Sequence, residues 1–356
     1  MAEVEVKLAS PGDRDLWNGF IASCATGHIL QSFEWGEFKA AYGWTPIRLL
    51  FVREGQIVAA ASMLKRAAGP VAMCYAPRGP VLDYADQPLL DIVLDTMATV
   101  ARRQHAIYLK IDPDVRLEDD AIRRIFRRHG YVPGEPIQRP NTMMLDISGS
   151  EDDVLGRMKP KWRYNIRLAE KKGVEIVEGT PADYPDFYRV YKETGERDCF
   201  IIRPYDYCEL EWRSFMEAGL ATFYLAKYGG QTLAGIMPFA LGRRMWYFFG
   251  ASSNLHRNLM PNHLLQWRAI QWARERGCTE YDMWGIPDVL EEGQPLWGVY
   301  LFKQGFGAEV VRWSGAYDRV LNRPLYELWT RGVPAYLRVL RRLRGERTDE
   351  RQLPGV

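Results

Sequence analysis

The feature that most constrains the fold is an internal repeat. The pattern Gly-Gln-x-x-Ala begins at Gly55 and again at Gly230, and in each copy it lies between two short runs of strand-forming residues. A glycine-containing turn between two such runs predicts a β-hairpin. Each hairpin is followed by another apolar strand, at 72–75 and at 245–249, then by a loop and a helical stretch that ends in basic residues. The same order of elements therefore occurs twice.

Each copy also ends in the same way. Residues 101–114 read as the end of a helix, a short loop, and a strand that leaves through a Pro-Asp pair, and residues 273–288 repeat this order. Chance similarity explains either match alone, whereas two matches in the same order favour duplication. Hairpin, strand, helix and strand is the order of the acetyltransferase-like (GNAT) α/β unit, in which helices flank a mixed sheet. We predict two such units in tandem.

The length of the chain agrees with two domains, because 356 residues exceed the usual single-core size of roughly 100 to 200 residues. The first domain is predicted over 1–147 and the second over 148–317, since Gly-Ser-Glu-Asp-Asp opens a helix near that boundary. A helical segment over 318–345 is expected to pack back on the first domain, and 346–356 are expected to form a tail.

Several classes of protein are disfavoured by the sequence. The first 15 residues mix acids and bases and lack the apolar run of a signal peptide, and no later stretch approaches the apolar length of a membrane span. The five cysteines are an odd number and lack the close spacing of metal sites. We therefore expect a cytoplasmic enzyme that uses no metal and no other cofactor.

The donor site of an acetyl-coenzyme A enzyme is missing from both repeats. That site normally has glycines between a strand and a helix, because they let backbone N–H groups surround a pyrophosphate. The second repeat has 256–263 at this place, without a glycine, and the first repeat has the acidic stretch 82–88. Coenzyme A is therefore not expected as the donor, and an aminoacyl-tRNA is one physical alternative.

Four segments of the chain carry a resemblance to a known family. They are Gln31-Ser-Phe-Glu-Trp-Gly-Glu-Phe-Lys39, the basic stretch Met158–Gly173, Phe249-Gly-Ala-Ser-Ser253 and Leu301-Phe-Lys-Gln-Gly-Phe-Gly307. In their order and spacing, the chain resembles the Fem (FemABX) peptidoglycan-bridge aminoacyltransferases. Nothing in the second half has the length or heptads of the helical arm that some members carry, so the chain is most similar to the arm-less, FemX-like branch.

The resemblance implies a reaction and its partners. It implies two acetyltransferase-like domains and the transfer of an amino acid from an aminoacyl-tRNA to the stem peptide of a peptidoglycan precursor. The acceptor is either UDP-MurNAc-pentapeptide or its lipid-linked form, and the acceptor amine is expected on the third residue of the stem peptide. Two alternatives stay open: an N-acyltransferase that uses an acyl thioester on another polysaccharide or peptide, and a non-catalytic protein that binds RNA or membranes.

The resemblance also implies a site for the acceptor. Lys39, Arg203 and Tyr207 look like the set that grips the diphosphate and sugar of the precursor, and a point charge together with a planar guanidinium suits a diphosphate. Without the family, each of the two cations would more often be a surface salt-bridge partner. Three aromatic residues complete the predicted substrate-binding set, although aromatic residues in strands are usually core: Trp35, Tyr247 and Phe302.

Two residues are predicted to act on the reacting atoms. Lys303 precedes Gly305 and Gly307, and the resemblance suggests that it stabilises the oxyanion formed when the amine attacks the ester. Asp112 stands at the end of a predicted strand, where it either orients the acceptor amine or takes its proton. A cap of the turn after that strand is an equal explanation for Asp112.

Two basic segments suggest contacts with larger partners. The density of base between 157 and 172, with aromatic residues interleaved, favours contact with a tRNA end or a precursor surface, and a solvated helix face is the alternative explanation. The residues predicted to bind tRNA are Lys159, Lys161, Arg163 and Arg167. The basic and apolar stretch 324–344 suits either packing on the first domain or peripheral contact with the inner membrane leaflet.

Overall fold

The computed structural model describes residues 3–198 and 201–332, and these residues form two compact units. The first unit contains 3–17, 39–138 and 314–332. The second contains 18–38 and the described residues between 139 and 313. No helix in the described part of the chain is long and apolar enough to cross a membrane.

The strands, in chain order, are β1 (Val4–Leu8), β2 (Thr45–Arg53), β3 (Gln56–Ala68), β4 (Val71–Ala76), β5 (Val81–Leu82), β6 (Ala106–Ile111), β7 (Tyr131–Gly134), β8 (Asn141–Asp146), β9 (Glu175–Glu178), β10 (Tyr224–Tyr228), β11 (Gln231–Leu241), β12 (Arg244–Ser252), β13 (Glu280–Gly285), β14 (Glu309–Arg312) and β15 (Ala316–Val320). The α-helices are α1 (Arg14–Ser23), α2 (Phe33–Ala40), α3 (Gln87–Arg103), α4 (Asp120–Arg128), α5 (Glu151–Arg157), α6 (Pro160–Lys171), α7 (Tyr184–Asp198), α8 (Tyr205–Glu217), α9 (Pro261–Glu275), α10 (Trp297–Gln304) and α11 (Arg323–Glu327).

The first unit is built on an eight-stranded mixed sheet. Its strand order is β1-β2-β3-β4-β6-β15-β7, and β5 pairs with β3. The pairing of β4 with β6 is parallel and the other pairings are antiparallel. Helix α3 makes the crossover between the two parallel strands, and its apolar face joins the core that the sheet buries.

The second unit repeats this arrangement. Its seven-stranded sheet has the order β14-β8-β13-β12-β11-β10-β9, and the parallel pair is β12 with β13. Helix α9 makes the crossover and contributes to the buried core of the unit. Hairpin, strand, crossover helix and parallel strand thus occur in the same order in both units, which confirms the predicted fold class.

The two predicted hairpin turns have the same backbone conformation. Glu54 and Gly55 join β2 to β3 with φ values of 50° and 77°, and Gly229 and Gly230 join β10 to β11 with φ values of 55° and 77°. Two successive residues with positive φ are characteristic of the tight hairpin turn that matches the twist of the strands. The Gly-Gln pattern therefore marks the same turn in both units.

The division of the chain differs from the predicted boundaries in three places. Strand β8 precedes residue 148, yet it hydrogen-bonds to β13 and β14 in the second sheet. Residues 18–38 also group with the second unit. Residues 316–320, of which 318–320 were predicted to be helical, form strand β15 between β6 and β7, and Asp318 on this strand is buried in an ion pair with Lys110 at 2.8 Å.

The predicted C-terminal helix is described only in part. Helix α11 is followed by a short π-helix, Leu328–Gly332, and residues 333–345 of the predicted segment and the predicted tail over 346–356 lie outside the described residues. The expected contact of this segment with a membrane therefore stays a prediction.

Candidate active site around Lys303

Lys303 is a buried cation in the last turn of α10. Its side chain is 3% exposed, and Nζ donates hydrogen bonds to the carbonyl oxygens of Trp284 at 3.1 Å and Gly285 at 2.7 Å. An ammonium group has three N–H donors. The third has no acceptor among the residues that the structure describes, so it is available to an oxygen atom of a substrate.

The cradle that holds Lys303 is a bulge at the end of β13. The register between β8 and β13 shifts by one residue between Asp282 and Gly285, and Trp284 has a φ of 65°. A bulge with a left-handed residue re-aims the backbone locally. Here the carbonyls of two successive residues, Trp284 and Gly285, are both hydrogen-bonded to one amine.

Burial lowers the pKa of Lys303 from its usual value to about 7, because desolvation disfavours the charged form. The carboxylate of Asp282 raises the pKa, and the guanidinium of Arg139 lowers it further. Near neutral pH the Lys303 amine is therefore divided between its charged and neutral forms, and nearby charges decide the balance.

Helix α10 is fixed to the start of the basic helix α6. The indole Nε1 of Trp162 donates to the carbonyl oxygen of Phe302 at 3.0 Å, and the backbone N–H of Lys159 donates to the carbonyl oxygen of Gly305 at 2.8 Å. The Lys159 ammonium also donates to Oε1 of Gln304 at 2.6 Å. Gly305 is required here because a Cβ atom would lie 2.0 Å from the Trp162 ring.

The four residues predicted to bind tRNA have different surroundings in α6 and just before it. Lys161 and Arg167 are exposed, whereas the Lys159 ammonium donates one hydrogen bond to Gln304. Arg163 donates from Nη1 to the carbonyl oxygens of Leu155 and Met158, near the end of α5. Because the last carbonyls of a helix lack intrahelical donors, Arg163 caps α5 and is less available to phosphate than predicted.

A row of aromatic side chains connects the predicted acceptor residues to the Lys303 cradle. Ring centroids lie 4.9 Å apart for Tyr207 and Phe38, 5.7 Å for Phe38 and Trp35, 6.0 Å for Trp35 and Phe248, and 4.9 Å for Phe248 and Trp284. These separations are typical of interacting aromatic pairs. The structure thus brings together residues that are far apart in the sequence.

Arg203, one of the two cations predicted to bind the precursor, lies at one end of this aromatic row. The Arg203 guanidinium lies 5.5 Å from the centroid of the Tyr207 ring, a cation–π distance. Arg203 is exposed, and Lys39 lies on α2 one turn after Trp35. The Arg203 guanidinium therefore lies beside aromatic surface, an arrangement that suits a charged and partly apolar ligand.

Tyr247 and Phe302 lie on other surfaces than this row. Tyr247 packs against the buried core of the second unit and lies over Gly250, and burial raises its pKa to about 12. Successive side chains of a strand point to opposite faces, so the next residue, Phe248, lies in the aromatic row and Tyr247 does not. Phe302 packs against His263, with ring centroids 5.2 Å apart, beside the Lys303 helix.

His263 is a buried residue that the sequence analysis did not select. Burial and the nearby Lys161 charge lower its pKa to about 4, so the imidazole is neutral at pH 7. Its Nε2 lies 3.1 Å from Nδ2 of Asn165 on α6, and its ring lies 5.5 Å from that of Trp162. His263 therefore helps to pack α6 and α9 beside α10.

Asp112 belongs to the first unit and is only 2% exposed. Its carboxylate accepts hydrogen bonds from the Tyr75 hydroxyl and from the backbone N–H of Arg78, both at 2.7 Å. Burial raises its pKa, and the Arg78 charge opposes the shift. Arg78 lies in the turn that follows β4 and has a φ of 52°. The hydrogen bonds of Asp112 therefore connect the end of β6 to this turn. The geometry favours the turn cap over the catalytic base.

The chain matches known proteins over most of its length. The FemAB family model matches residues 14–125, 134–229 and 218–331. A relative from Staphylococcus aureus (strain MRSA252), named lipid II:glycine glycyltransferase, is 27% identical; the match covers 87% of this chain and 92% of the relative. A second such relative, from strain Mu50, is 26% identical with the same coverage.

Solved structures agree with this match. The crystal structure of FemX superposes with a TM-score of 0.84 at 25% identity, over 91% of this chain and 99% of that one. A tandem GNAT protein from the clavulanic acid biosynthesis pathway, with a TM-score of 0.53 and 13% identity over 89% and 98% of the chains, shares the fold. The predicted enzyme class, aminoacyltransferase, is confirmed by the named relatives. The chain belongs to the FemAB family.

Proposed function

We propose that this protein transfers an aminoacyl group from an aminoacyl-tRNA to the stem peptide of a peptidoglycan precursor, for the bridge between stem peptides. The observation that carries the proposal is the buried Lys303 ammonium with one donor unclaimed by the described residues. The relatives named lipid II:glycine glycyltransferase support the lipid-linked precursor over UDP-MurNAc-pentapeptide as the acceptor. Because charged tRNA is a cytoplasmic molecule, the proposal assigns the reaction to the cytoplasm.

The proposed reaction is the aminolysis of an ester. The neutral amine of the stem peptide attacks the ester carbonyl of the donor, and a C–N bond forms. The carbonyl oxygen then carries a negative charge, which the third N–H of Lys303 stabilises. When the C–O bond breaks, the 3′-hydroxyl of the tRNA leaves with the proton that the amine gives up. One such oxyanion donor contributes about 3 kcal/mol in other acyl-transfer enzymes.

The donor requirement tests the proposal directly. The full chain is incubated with lipid-linked precursor and a pool of charged tRNA, and parallel reactions receive either ribonuclease-treated tRNA or a pool of acyl-coenzyme A. We expect product only with intact charged tRNA. If product forms with acyl-coenzyme A and not with charged tRNA, the proposed donor is wrong. The absence of glycine between His256 and His263, at the start of α9, argues against that outcome.

The Arg203 guanidinium is proposed to bind the diphosphate of the acceptor. Replacing it with alanine is expected to raise the KM for the precursor by roughly 10- to 100-fold, because a charge-assisted hydrogen bond contributes about 1.5–3 kcal/mol. The kcat should change little, since the group lies at the other end of the aromatic row from Lys303. Steady-state kinetics with varied precursor measure both constants. Arg213→Ala, on helix α8 that begins two residues after Arg203, is the control, and equal effects of the two changes would contradict the proposal.

The exposed charges of α6 are proposed to contact tRNA phosphates. Replacing Lys161 and Arg167 together with glutamine should weaken tRNA binding and reduce the slope of log affinity against log salt by roughly 1 to 2, because each phosphate contact releases counterions. Filter binding over a range of salt concentrations gives the slope. The matched control is the double variant Arg102→Gln and Arg103→Gln, because both arginines are exposed at the end of α3. An unchanged slope in the α6 variant would exclude this helix as the contact.

A further inference from the structure

The polar network behind Lys303 is buried and contains a carboxylate that the proposed chemistry does not use. Asp282, on β13, is 3% exposed, and Thr142, on β8, is 2% exposed. The Thr142 hydroxyl donates to Oδ1 of Asp282, and the backbone N–H of Trp284 donates to the same oxygen at 2.8 Å. A buried carboxylate is costly unless its charge and its hydrogen bonds are satisfied, so its retention here calls for a role.

The backbone hydrogen bond connects Asp282 to the shape of the Lys303 cradle. It closes a turn from Asp282 to Trp284 and holds Trp284 at a φ of 65°, a conformation that a tryptophan adopts only when its surroundings fix it. This conformation belongs to the bulge whose two carbonyls accept from Lys303. Asp282 therefore acts on both the geometry and the charge around the amine.

We propose that Asp282 is a positioning residue for Lys303: it holds the bulge that fixes the amine, and its negative charge compensates the buried ammonium. The inference rests on the proposed function of Lys303 as the oxyanion donor. It assigns Thr142 the role of orienting the carboxylate.

The charges near Lys303 come from several elements. Asp282 on β13 favours the ammonium, and Arg139, in the segment before β8, opposes it. The Arg139 side chain crosses Gly285, where a Cβ atom would lie 2.5 Å from Arg139 Cδ. Two further groups contact the sequence neighbours of Lys303. Lys159, just before α6, contacts Gln304, and the neutral His263 on α9 packs on Phe302. Removal of the Asp282 charge alone should therefore leave the amine mostly neutral at pH 7.

The Asp282→Asn variant separates charge from geometry. Asparagine has nearly the same shape, and its Oδ1 can accept from both Thr142 and Trp284, but it carries no charge. The protein is labelled with ¹³C at lysine Cε, and the Lys303 signal is assigned by its loss in Lys303→Met. We expect the titration midpoint of that signal to fall by about one pH unit or more in Asp282→Asn, since a nearby opposite charge shifts a pKa by roughly 1–3 units.

The pH dependence of kcat should shift together with the titration midpoint of Lys303. Lys303 is a cation below its pKa and neutral above it, so kcat should fall as pH rises through about 7 in the native protein. In Asp282→Asn, the pH at which kcat falls should be lower by the same shift as the Lys303 titration midpoint. The KM for the precursor should stay unchanged. Thr142→Val, which keeps the charge and removes one hydrogen bond, should lower the melting temperature and move the midpoint less.

An unchanged Lys303 midpoint in Asp282→Asn would overturn the inference, whatever happens to its stability. If that variant does not fold, Arg139→Gln is the second test, and its midpoint should rise because an opposing cation is lost. A midpoint that stays the same or falls in Arg139→Gln would also contradict the inference. The titration needs no substrate, so a failure of the proposed transfer reaction is distinguished from a failure of this charge coupling.

Discussion

Replacing Lys303 with methionine is expected to lower kcat by about 100- to 1,000-fold, the effect of removing one oxyanion donor in other acyl-transfer enzymes. Methionine has a similar length and suits a buried position, so the helix should still pack. The KM values for both substrates should change little, because the donor acts on a charge that exists only in the transition state. Single-turnover transfer with saturating substrates measures this rate.

The control for this prediction is a lysine that is exposed and remote from the site. Lys7→Met on β1 removes the same charge from a side chain that is 52% exposed, and it should leave kcat unchanged. Melting temperatures of both variants report whether the fold persists. A folded Lys303→Met variant that loses less than about tenfold in kcat, roughly 1.4 kcal/mol, would contradict the assigned role.

Gly305→Ala is expected to destabilise the protein by about 1–3 kcal/mol and to lower kcat together with the stability. The added methyl group would lie 2.0 Å from the Trp162 ring, so either the indole or the end of α10 must move. Either movement disturbs the hydrogen bond from Trp162 Nε1 to the Phe302 carbonyl, one residue before Lys303. Denaturant unfolding and single-turnover transfer measure the two effects.

A glycine inside α10 provides a comparison with Gly305, which directly follows the last residue of that helix. Gly298 lies in α10, and a Cβ atom there would meet nothing within 4 Å. Gly298→Ala should therefore be neutral or stabilise the helix by up to about 1 kcal/mol, since alanine has the higher helix propensity. Equal stability of the two alanine variants would show that α10 is not held against Trp162.

The repeated fold was predictable because its signals are local. The turn glycines at Gly55 and Gly230 lie next to the strands that they connect, and the order of elements recurs along the chain. The sheets to which β8 and β15 belong could not be predicted in this way. Each is a short strand whose partners are distant in sequence, and burial of the ion pair between Asp318 and Lys110 cannot be inferred from alternation alone.

Lys303 was selected because it lies in the segment 301–307 that carries the family resemblance, and its catalytic role stays a prediction, as does the role of Arg203, which lies outside the four segments. The cradle was not predicted, because it depends on a bulge at Trp284, and a tryptophan with positive φ has no sequence signal. Asp282 offered a weak signal, an acid between the apolar residues Tyr281 and Met283. Asp112 directly follows β6 and is as deeply buried, yet its contacts favour a cap, so hydrogen-bond partners rather than residue type or burial separate the two carboxylates.

We propose that the chain moves an aminoacyl group from tRNA to a stem peptide. The most direct measurement is mass spectrometry of lipid-linked precursor and of UDP-MurNAc-pentapeptide after incubation with the protein and a pool of charged tRNA. We expect the precursor to gain the mass of an amino-acid residue, and fragmentation to place the gain on the side-chain amine of the third residue of the stem peptide. No gain on either precursor with any charged tRNA would contradict the account.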